Sequence, residues 1–233
     1  MKNVAIIPAG GSGKRINSRL PKQYLPVGGR PLLVHTIEVF QRSPLVHDIL
    51  LVVPPEDVHR VRSRFVAPYG FFKVSRVLGG GCERQDSVRN GLDALGDDCD
   101  IVLIHDGVRP FVSGRLIRLI IREAAAHGAA TAGVPVKETV KRVDGGGCVL
   151  ETVDRRALWL AQTPQAFRRA VILEAHRRAL RDRFYGTDDA SLVERMGHPV
   201  RMVPATSENI KITTREDLRL AEFLIGARKG KVP

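Results

Sequence analysis

The feature that most constrains the fold is a repeated alternation of short apolar runs with segments of helical periodicity. The runs that we predict as strands are residues 4–7, 49–53, 74–78, 101–104, 130–136, 200–203 and 210–212. The helical patterns follow Pro31, then cover residues 58–65, 88–95, 116–120, 168–181 and 188–196, and finish with a segment that opens at a capping box, Thr213 to Glu216. Near-continuous apolar strands are typical of a mostly parallel sheet with helices on both faces, so the sequence predicts an α/β fold.

One stretch breaks this alternation. Residues 137–143 and 148–153 resemble strands, and they flank Asp144 and three glycines that suit a tight turn. Many of their side chains are polar, which indicates a hairpin that projects from the body. Because no long linker or low-complexity tract occurs, we predict one domain, 1–233, with an inserted arm at 137–153.

Composition narrows the class of protein. The hydrophobic content of 43% suits a sizeable core, and no apolar run is long enough to span a bilayer. The first apolar run is too short for a secretory signal, so we expect a cytoplasmic protein without a membrane partner. Cys82, Cys99 and Cys148 are widely spaced and indicate neither a disulfide framework nor a zinc site.

The net charge of +12 allows a nucleic acid or a phosphorylated small molecule as the partner. Much of the excess is arginine scattered over helical segments. No run of aromatic residues interleaves with the basic ones, as a platform for stacking bases would require. The composition therefore favours phosphorylated small molecules over nucleic acid.

The first strand runs into a loop of glycine and basic residues: Pro8-Ala9-Gly10-Gly11-Ser12-Gly13-Lys14-Arg15. Backbone N–H groups can converge on phosphate oxygens there, since glycine has no side chain to block the approach. The segment is not a Walker A loop, because Pro8 stands where that motif has its first glycine. It is not a dinucleotide fingerprint either, because the third glycine of that motif is missing. A nucleotide triphosphate site is one interpretation, and an ordinary glycine-rich strand-to-helix turn is the other.

Each of three further residues has two possible roles, one in binding a ligand and one in holding the structure. Asp106 follows a buried strand, where it could bind Mg²⁺ beside phosphates or cap a turn. Ser87 could bond a nucleotide or cap a helix, and capping is the commoner role of a lone serine. Lys211 lies in the predicted strand 210–212, so it needs an anionic partner, either a carboxylate or a substrate phosphate.

Taken together, these segments resemble the 2-C-methyl-D-erythritol 4-phosphate cytidylyltransferase family over nearly the whole chain. The resemblance rests on ordered blocks: the first loop, Pro21-Lys22-Gln23-Tyr24, Glu83-Arg84-Gln85-Asp86-Ser87-Val88, His105-Asp106-Gly107-Val108-Arg109-Pro110, Thr152-Val153-Asp154-Arg155, Thr163-Pro164-Gln165-Ala166-Phe167, Thr187-Asp188-Asp189-Ala190 and Asn209-Ile210-Lys211. It implies a Rossmann-like nucleotidyltransferase core, a homodimer with an extended arm, and a reaction of CTP with methylerythritol phosphate that uses Mg²⁺ and releases pyrophosphate. Gly107 and Val108 stand where many members of the family have two alanines.

The resemblance also implies roles for residues at matching positions. Those implied for CTP binding are Pro8, Ala9, Gly10, Gly11, Ser12, Gly13, Gly81 and Ser87. Those implied for catalysis are Arg15, Lys22, Arg155 and Lys211, with Arg15 and Lys22 stabilising the transition state. Those implied around the sugar phosphate are Asp106, Arg109, Thr139, Arg155, Thr163 and Lys211, with Asp106 as the metal ligand and with Thr139 and Arg155 reaching across the dimer.

Two other functions stay open at the level of sequence. A cytidylyltransferase for another polyol phosphate, such as ribitol 5-phosphate, would use the same groups. A basic nucleic-acid-binding protein is the alternative from a different class, and its affinity would fall steeply with salt.

Overall fold

The computed structural model describes residues 1–11 and 20–229. Its strands are β1 (Asn3–Pro8), β2 (Pro26–Val27), β3 (Arg30–Pro31), β4 (Asp48–Val53), β5 (Val74–Gly79), β6 (Ile101–Ile104), β7 (Ala129–Pro135), β8 (Val140–Val143), β9 (Val149–Val153), β10 (Trp159–Arg168) and β11 (Arg201–Pro204). Its α-helices are α1 (Leu32–Arg42), α2 (Val58–Val61), α3 (Arg84–Asp93), α4 (Gly114–His127), α5 (Arg169–Arg181), α6 (Asp189–Arg195) and α7 (Arg215–Lys229). A short 3-10 turn, Lys22–Tyr24, precedes β2.

The central sheet of the described residues has seven strands in the order β11-β7-β10-β6-β1-β4-β5. β1 is an interior strand and pairs in parallel with β4 and β6, with Ile6 opposite both Leu50 and Ile104. The carboxyl ends of these three strands therefore meet at one edge. Ligands bind at that edge in open α/β sheets.

Each face of the sheet carries its own core. Alternate residues of β1 point to opposite sides, so Ala5 and Ile7 pack with α1 and α4, while Val4 and Ile6 pack with α3, α5 and α6. Both sets are almost fully buried. The predicted α/β fold, mostly parallel and covered on both faces, is confirmed.

Two strand predictions differ from the structure. β10 was not predicted, yet it lies between β6 and β7 and runs antiparallel to both. Its Thr163, Pro164 and Gln165 do not form an apolar run, although Thr163 and Gln165 are buried. Residues 210–212 form no strand, because Ile210 and Ile212 pack in a small separate hydrophobic cluster rather than in a sheet.

The C-terminal helix begins one residue later than predicted. The N–H groups of Thr213 and Thr214 donate to Asp217 Oδ2, each at 2.8 Å, and the Asp217 N–H donates to Thr214 Oγ1 at 3.2 Å. The reciprocal capping pair is therefore Thr214 and Asp217 instead of Thr213 and Glu216.

The predicted arm is the hairpin of β8 and β9, whose residues are mostly exposed. It forms a separate two-stranded sheet. Val143, Val149 and Leu150 are more than half exposed on it. Among the helices that the structure describes, none combines the length and the apolar character that crossing a membrane requires.

Candidate active site

A cleft of about 380 Å³ opens at the carboxyl edge of the sheet, above β1 and β6. That volume lies in the range of small-molecule sites. The described residues that line it are Pro8, Ala9, Gly10, Gly11, Lys22, Gln23, Gly81, Cys82, Glu83, Arg84, Ser87, Asp106, Val108 and Lys211. The chain thus brings together most of the predicted nucleotide-binding residues with Lys22, Asp106 and Lys211.

The first wall of the cleft is the glycine loop after β1. The Ala9 N–H donates to Val52 O at 2.7 Å, which fixes where the loop leaves the sheet. A Cβ placed on Gly10 would meet nothing within 4 Å, so the loop there faces open space. A Cβ on Gly11 would lie 3.7 Å from Lys22 Nζ, which puts the ammonium group of this buried lysine against the loop. Ser12, Gly13, Lys14 and Arg15 lie outside the described residues.

The opposite wall is the second glycine segment, between β5 and α3. Ser87 Oγ accepts the Gly81 N–H and donates to Glu83 O, both at 3.2 Å. Glu83 and Asp86 form the capping box of α3, so Ser87 is not the helix cap. Cβ atoms on Gly80 or Gly81 would collide with Ser87 or Asp86 respectively, so this wall requires glycine for packing.

Asp106 is the charged centre of the cleft, and its carboxylate is almost buried. Oδ1 lies 3.0 Å from Arg84 Nε, and Oδ2 lies 2.9 Å from Lys211 Nζ and 3.6 Å from Arg109 Nε. Burial disfavours the ionised form, but the nearby cations Arg84, Lys211 and Arg109 outweigh that effect and hold the pKa of Asp106 well below its usual range. The group is therefore ionised at neutral pH.

The predicted substrate residues Thr163 and Arg109 contact Asp106 but are not among the described residues that line the cleft. The Asp106 N–H donates to Thr163 Oγ1 at 3.0 Å, and Thr163 Oγ1 lies 3.1 Å from His105 Nδ1. Arg109 Nη1 donates to Asn209 O at 2.7 Å, and the Asn209 side chain donates to Thr163 O at 2.8 Å. These bonds tie the turn after β6 to β10 and to the segment that carries Lys211.

Lys211 lies in an irregular segment and not in the strand that the sequence predicts, but its need for an anionic partner is met. Its side chain is 40% exposed because the segment around it is irregular. Asp106 supplies the anion that the sequence required. Lys211 can therefore face both the carboxylate and the solvent of the cleft.

Sequence reasoning missed the residues that anchor Arg84. Arg84 Nη1 lies 2.7 Å from Asp189 Oδ2, and Asp189 Oδ1 lies 3.2 Å from His176 Nε2. Gln165 Oε1 accepts the Asp189 N–H at 3.1 Å. Asp189 and His176 are buried, so Arg84 connects the cleft to a buried hydrogen bond between α5 and α6. Asp189 and Gln165 lie in the motif blocks, but His176 does not, and no local pattern in the sequence indicated it.

Thr139 and Arg155 lie on the arm and at its base, away from these residues. Both are exposed, and the Arg155 guanidinium donates to Lys137 O. Neither is among the described residues that line the cleft. Within one chain, the structure therefore does not bring them to Asp106.

The acidic residues of the cleft determine how it could hold Mg²⁺. In residues 1–11 and 20–229, no three histidine, cysteine, aspartate or glutamate side chains gather into a metal cluster. Mg²⁺ often takes one or two carboxylates, with phosphates and water as its other ligands. Asp106, ionised at neutral pH and facing the glycine loop, fits that mode as a single protein ligand.

This fold and this cleft, with a glycine loop, a carboxylate and clustered cations at the carboxyl edge of a mostly parallel sheet, define an α/β nucleotidyltransferase. A family model described as IspD, 2-C-methyl-D-erythritol 4-phosphate cytidylyltransferase, matches residues 3–227. The chain belongs to this family.

Individual relatives agree with that assignment. The chain is 52% identical to 2-C-methyl-D-erythritol 4-phosphate cytidylyltransferase of Syntrophus aciditrophicus over 231 residues, covering 99% of each chain. It is 49% identical to the protein of that name from Geobacter metallireducens, covering 98% of each. The crystal structure of 4-diphosphocytidyl-2C-methyl-D-erythritol synthase from Anaerococcus prevotii superposes with a TM-score of 0.85 at 32% identity, covering 97% of this chain and 96% of that one.

Proposed function

We propose that the chain transfers the cytidylyl group of CTP to 2-C-methyl-D-erythritol 4-phosphate and releases pyrophosphate. The observation that carries the proposal is the cleft in which the glycine loop faces Asp106, Lys22 and Lys211. Membership of the family supplies the two substrates. A cytidylyltransferase of another polyol phosphate is not favoured, since the relatives named above are called methylerythritol phosphate enzymes.

The reaction joins two polyanions, so the site must offset their repulsion. An oxygen of the sugar phosphate attacks the α-phosphorus of CTP, and the bond to pyrophosphate breaks on the opposite side. Lys22, against the glycine loop, is close enough to meet charge that grows on the phosphate oxygens of CTP. Lys211 and Arg109 would hold the sugar phosphate in line for attack.

No covalent intermediate is needed, because the attacking phosphate is already ionised. The chain therefore acts by alignment and by electrostatic stabilisation. Arg15 would share the role of Lys22, but it lies outside the described residues and its role stays a prediction.

Mg²⁺ is part of the proposal. Asp106 would hold it, and the ion would neutralise charge on the phosphates of CTP. Arg84 keeps Asp106 in place whether or not the ion is bound, since Asp189 holds it from the other side.

A homodimer built through the arm is a further part. Val143, Val149 and Leu150 expose apolar surface on a two-stranded hairpin, a structure that is marginally stable alone. A second copy packed on this surface would bury it. Thr139 and Arg155 of each chain would then serve the site of the other.

The compartment proposed is the reducing cytoplasm. Cys82 and Cys148 are exposed free thiols and Cys99 is buried, and none is paired. No nucleic acid is proposed as a partner.

The direct test is mass-spectrometric detection of the cytidyl diphosphate product from CTP and methylerythritol phosphate. Parallel reactions should contain ribitol 5-phosphate instead of the sugar substrate, or a chelator instead of Mg²⁺. We expect product only in the reaction that contains both methylerythritol phosphate and Mg²⁺. A higher kcat/KM with ribitol 5-phosphate would overturn the substrate, and full activity in the chelator would overturn the metal.

A further inference from the structure

A third hydrophobic cluster lies apart from the two sheet cores. Its buried members are Val27, Leu32, Val108, Phe111, Ile212, Ala221 and Ile225, and we name it the C-terminal cluster. It is small, and its residues come from four separated stretches of chain.

Three of those stretches carry Lys22, Asp106 and Lys211, which are three of the charged residues of the cleft. Val27 closely follows Lys22, Val108 lies between Asp106 and Arg109, and Ile212 is next to Lys211. The Ile212 N–H donates to Val108 O at 3.0 Å, which ties two of these stretches together directly. The C-terminal cluster therefore packs together residues that are close in the chain to Lys22, Asp106 and Lys211.

Helix α7 supplies the fourth stretch and covers the cluster. Ala221 is fully buried, and Ile225 is 8% exposed. Ile225 presses on the β2–β3 turn so closely that a Cβ on Gly28 would lie 2.7 Å from Ile225 Cγ2. One turn further on, the Arg228 guanidinium lies over the Phe111 ring, 4.9 Å from its centroid.

We infer that helix α7 is a positioning element, and that Ile225 is the positioning residue that holds the Lys22 segment in register with Asp106 and Lys211. The inference rests on the proposed function for the roles of the two lysines. Its physical basis is that the Lys22 segment packs with the other two segments in the C-terminal cluster, whereas the Asp106 and Lys211 segments are also held by hydrogen bonds to each other and to β10. A loss of packing at Ile225 should therefore shift the Lys22 segment against the other two. A misplacement of about 1 Å can cost about a hundredfold in rate.

The variants follow from the packing. Ile225→Ala removes the contact with the β2–β3 turn and leaves the sheet cores untouched. Ile225→Val is the conservative variant that keeps most of it. Phe223→Ala is the matched control, because Phe223 lies on the same helix and is 71% exposed.

We expect Ile225→Ala to lower kcat about tenfold or more at a temperature where circular dichroism shows it folded, with the KM for CTP changed much less. Ile225→Val should recover most of the rate, and Phe223→Ala should match the unmodified protein. Unchanged kcat in Ile225→Ala would overturn the inference, as would a loss that only follows the fraction of unfolded protein.

Hydrogen exchange gives a readout that does not depend on activity. In Ile225→Ala, the Ile212 amide should exchange faster while the amides of β1 and β4 stay protected. A uniform increase over the sheet would mean that α7 acts on global stability alone, which overturns the inference. If the unmodified protein makes no product while exchange changes locally, the proposed function fails and the positioning of the segments stands.

Discussion

The cleft and the arm differ in how their charged and polar side chains are satisfied. Around Asp106, several charged side chains pair with residues from distant parts of the same chain, as Arg84 does with Asp189. On the arm, Arg155 is exposed, and apolar residues such as Leu150 face solvent. The difference teaches that one chain by itself supplies the ion pairs around Asp106, whereas the apolar residues of the arm stay exposed within one chain.

The strongest test of the cleft is Asp106→Asn, which removes the carboxylate that three cations share. We expect turnover to fall about a thousandfold, because the variant loses the proposed metal ligand and leaves Arg84, Lys211 and Arg109 unbalanced. Steady-state kinetics over a range of Mg²⁺ concentrations would measure the loss.

Asp97→Asn is the control, since the Asp97 side chain is fully exposed. Circular dichroism should show that both variants fold. Near-normal turnover in Asp106→Asn would refute the role of Asp106.

Lys22→Ala tests the cation at the glycine loop. If Lys22 acts mainly in the transition state, kcat should fall about a hundredfold and the KM for CTP should change little. Lys22→Arg should retain part of the rate. Lys2→Ala, a change at the opposite edge of the sheet, should have no effect. A change confined to KM would mean that Lys22 binds CTP equally in the ground state and the transition state.

Subunit mixing tests whether the arm completes the site of a partner. Arg155→Ala and Lys211→Ala subunits should each be nearly inactive, and random exchange should restore roughly a quarter of the activity, because half of the dimers are mixed and each has one intact site. Activity before and after exchange would be compared, with exchange itself followed by native mass spectrometry. If exchange occurs and no activity returns, Arg155 and Lys211 of one chain serve the same site.

The smallest expected effect concerns acid stability, which should distinguish the cleft from the arm. Burial lowers the pKa of His105 to about 4, so the folded protein resists its protonation while the unfolded chain accepts it. Between about pH 4 and 6.5 the unfolded state binds more protons. The free energy of unfolding should therefore rise with pH there, by up to about 3 kcal/mol, and then level off.

Urea unfolding at several pH values would measure this slope. His105→Asn should reduce it and leave the part due to His35, whose pKa burial also lowers, and His127→Gln, at an exposed histidine, should not change it. The arm carries no histidine, so its exchange rates should not follow the same titration. An equal slope in His105→Asn would assign the pH dependence to other groups.

The sequence predicted what local pattern encodes. Apolar runs located β1, β4 and β6, and the rule that ligands bind at carboxyl ends then placed Asp106 opposite the glycine loop. β10 escaped prediction because Thr163 and Gln165 are buried through hydrogen bonds, which leave no apolar periodicity. The pairing of Arg84 with Asp189 escaped it because nothing local indicates a contact between residues so far apart in the chain.

The segment around Lys211 shows the opposite error, a strand that was predicted and does not form. Alternating apolar residues around it resembled a strand, but Ile212 is buried by helix α7 rather than by a sheet. Periodicity reports that a side chain is buried and does not report what covers it. The arm was predictable as a hairpin, because a glycine turn between two strand-like runs is a local signal.

The two glycine walls of the cleft have unequal consequences for inhibitor resistance. An inhibitor in van der Waals contact with Gly10 would be displaced by Gly10→Ala, because the protein itself has room for the added methyl group. An inhibitor that leans on Gly81 meets a position where a methyl group would collide with Asp86 and disturb the start of α3. A substitution there would have to move the start of α3 at the edge of the cleft, so the Gly81 wall is the more durable surface to target.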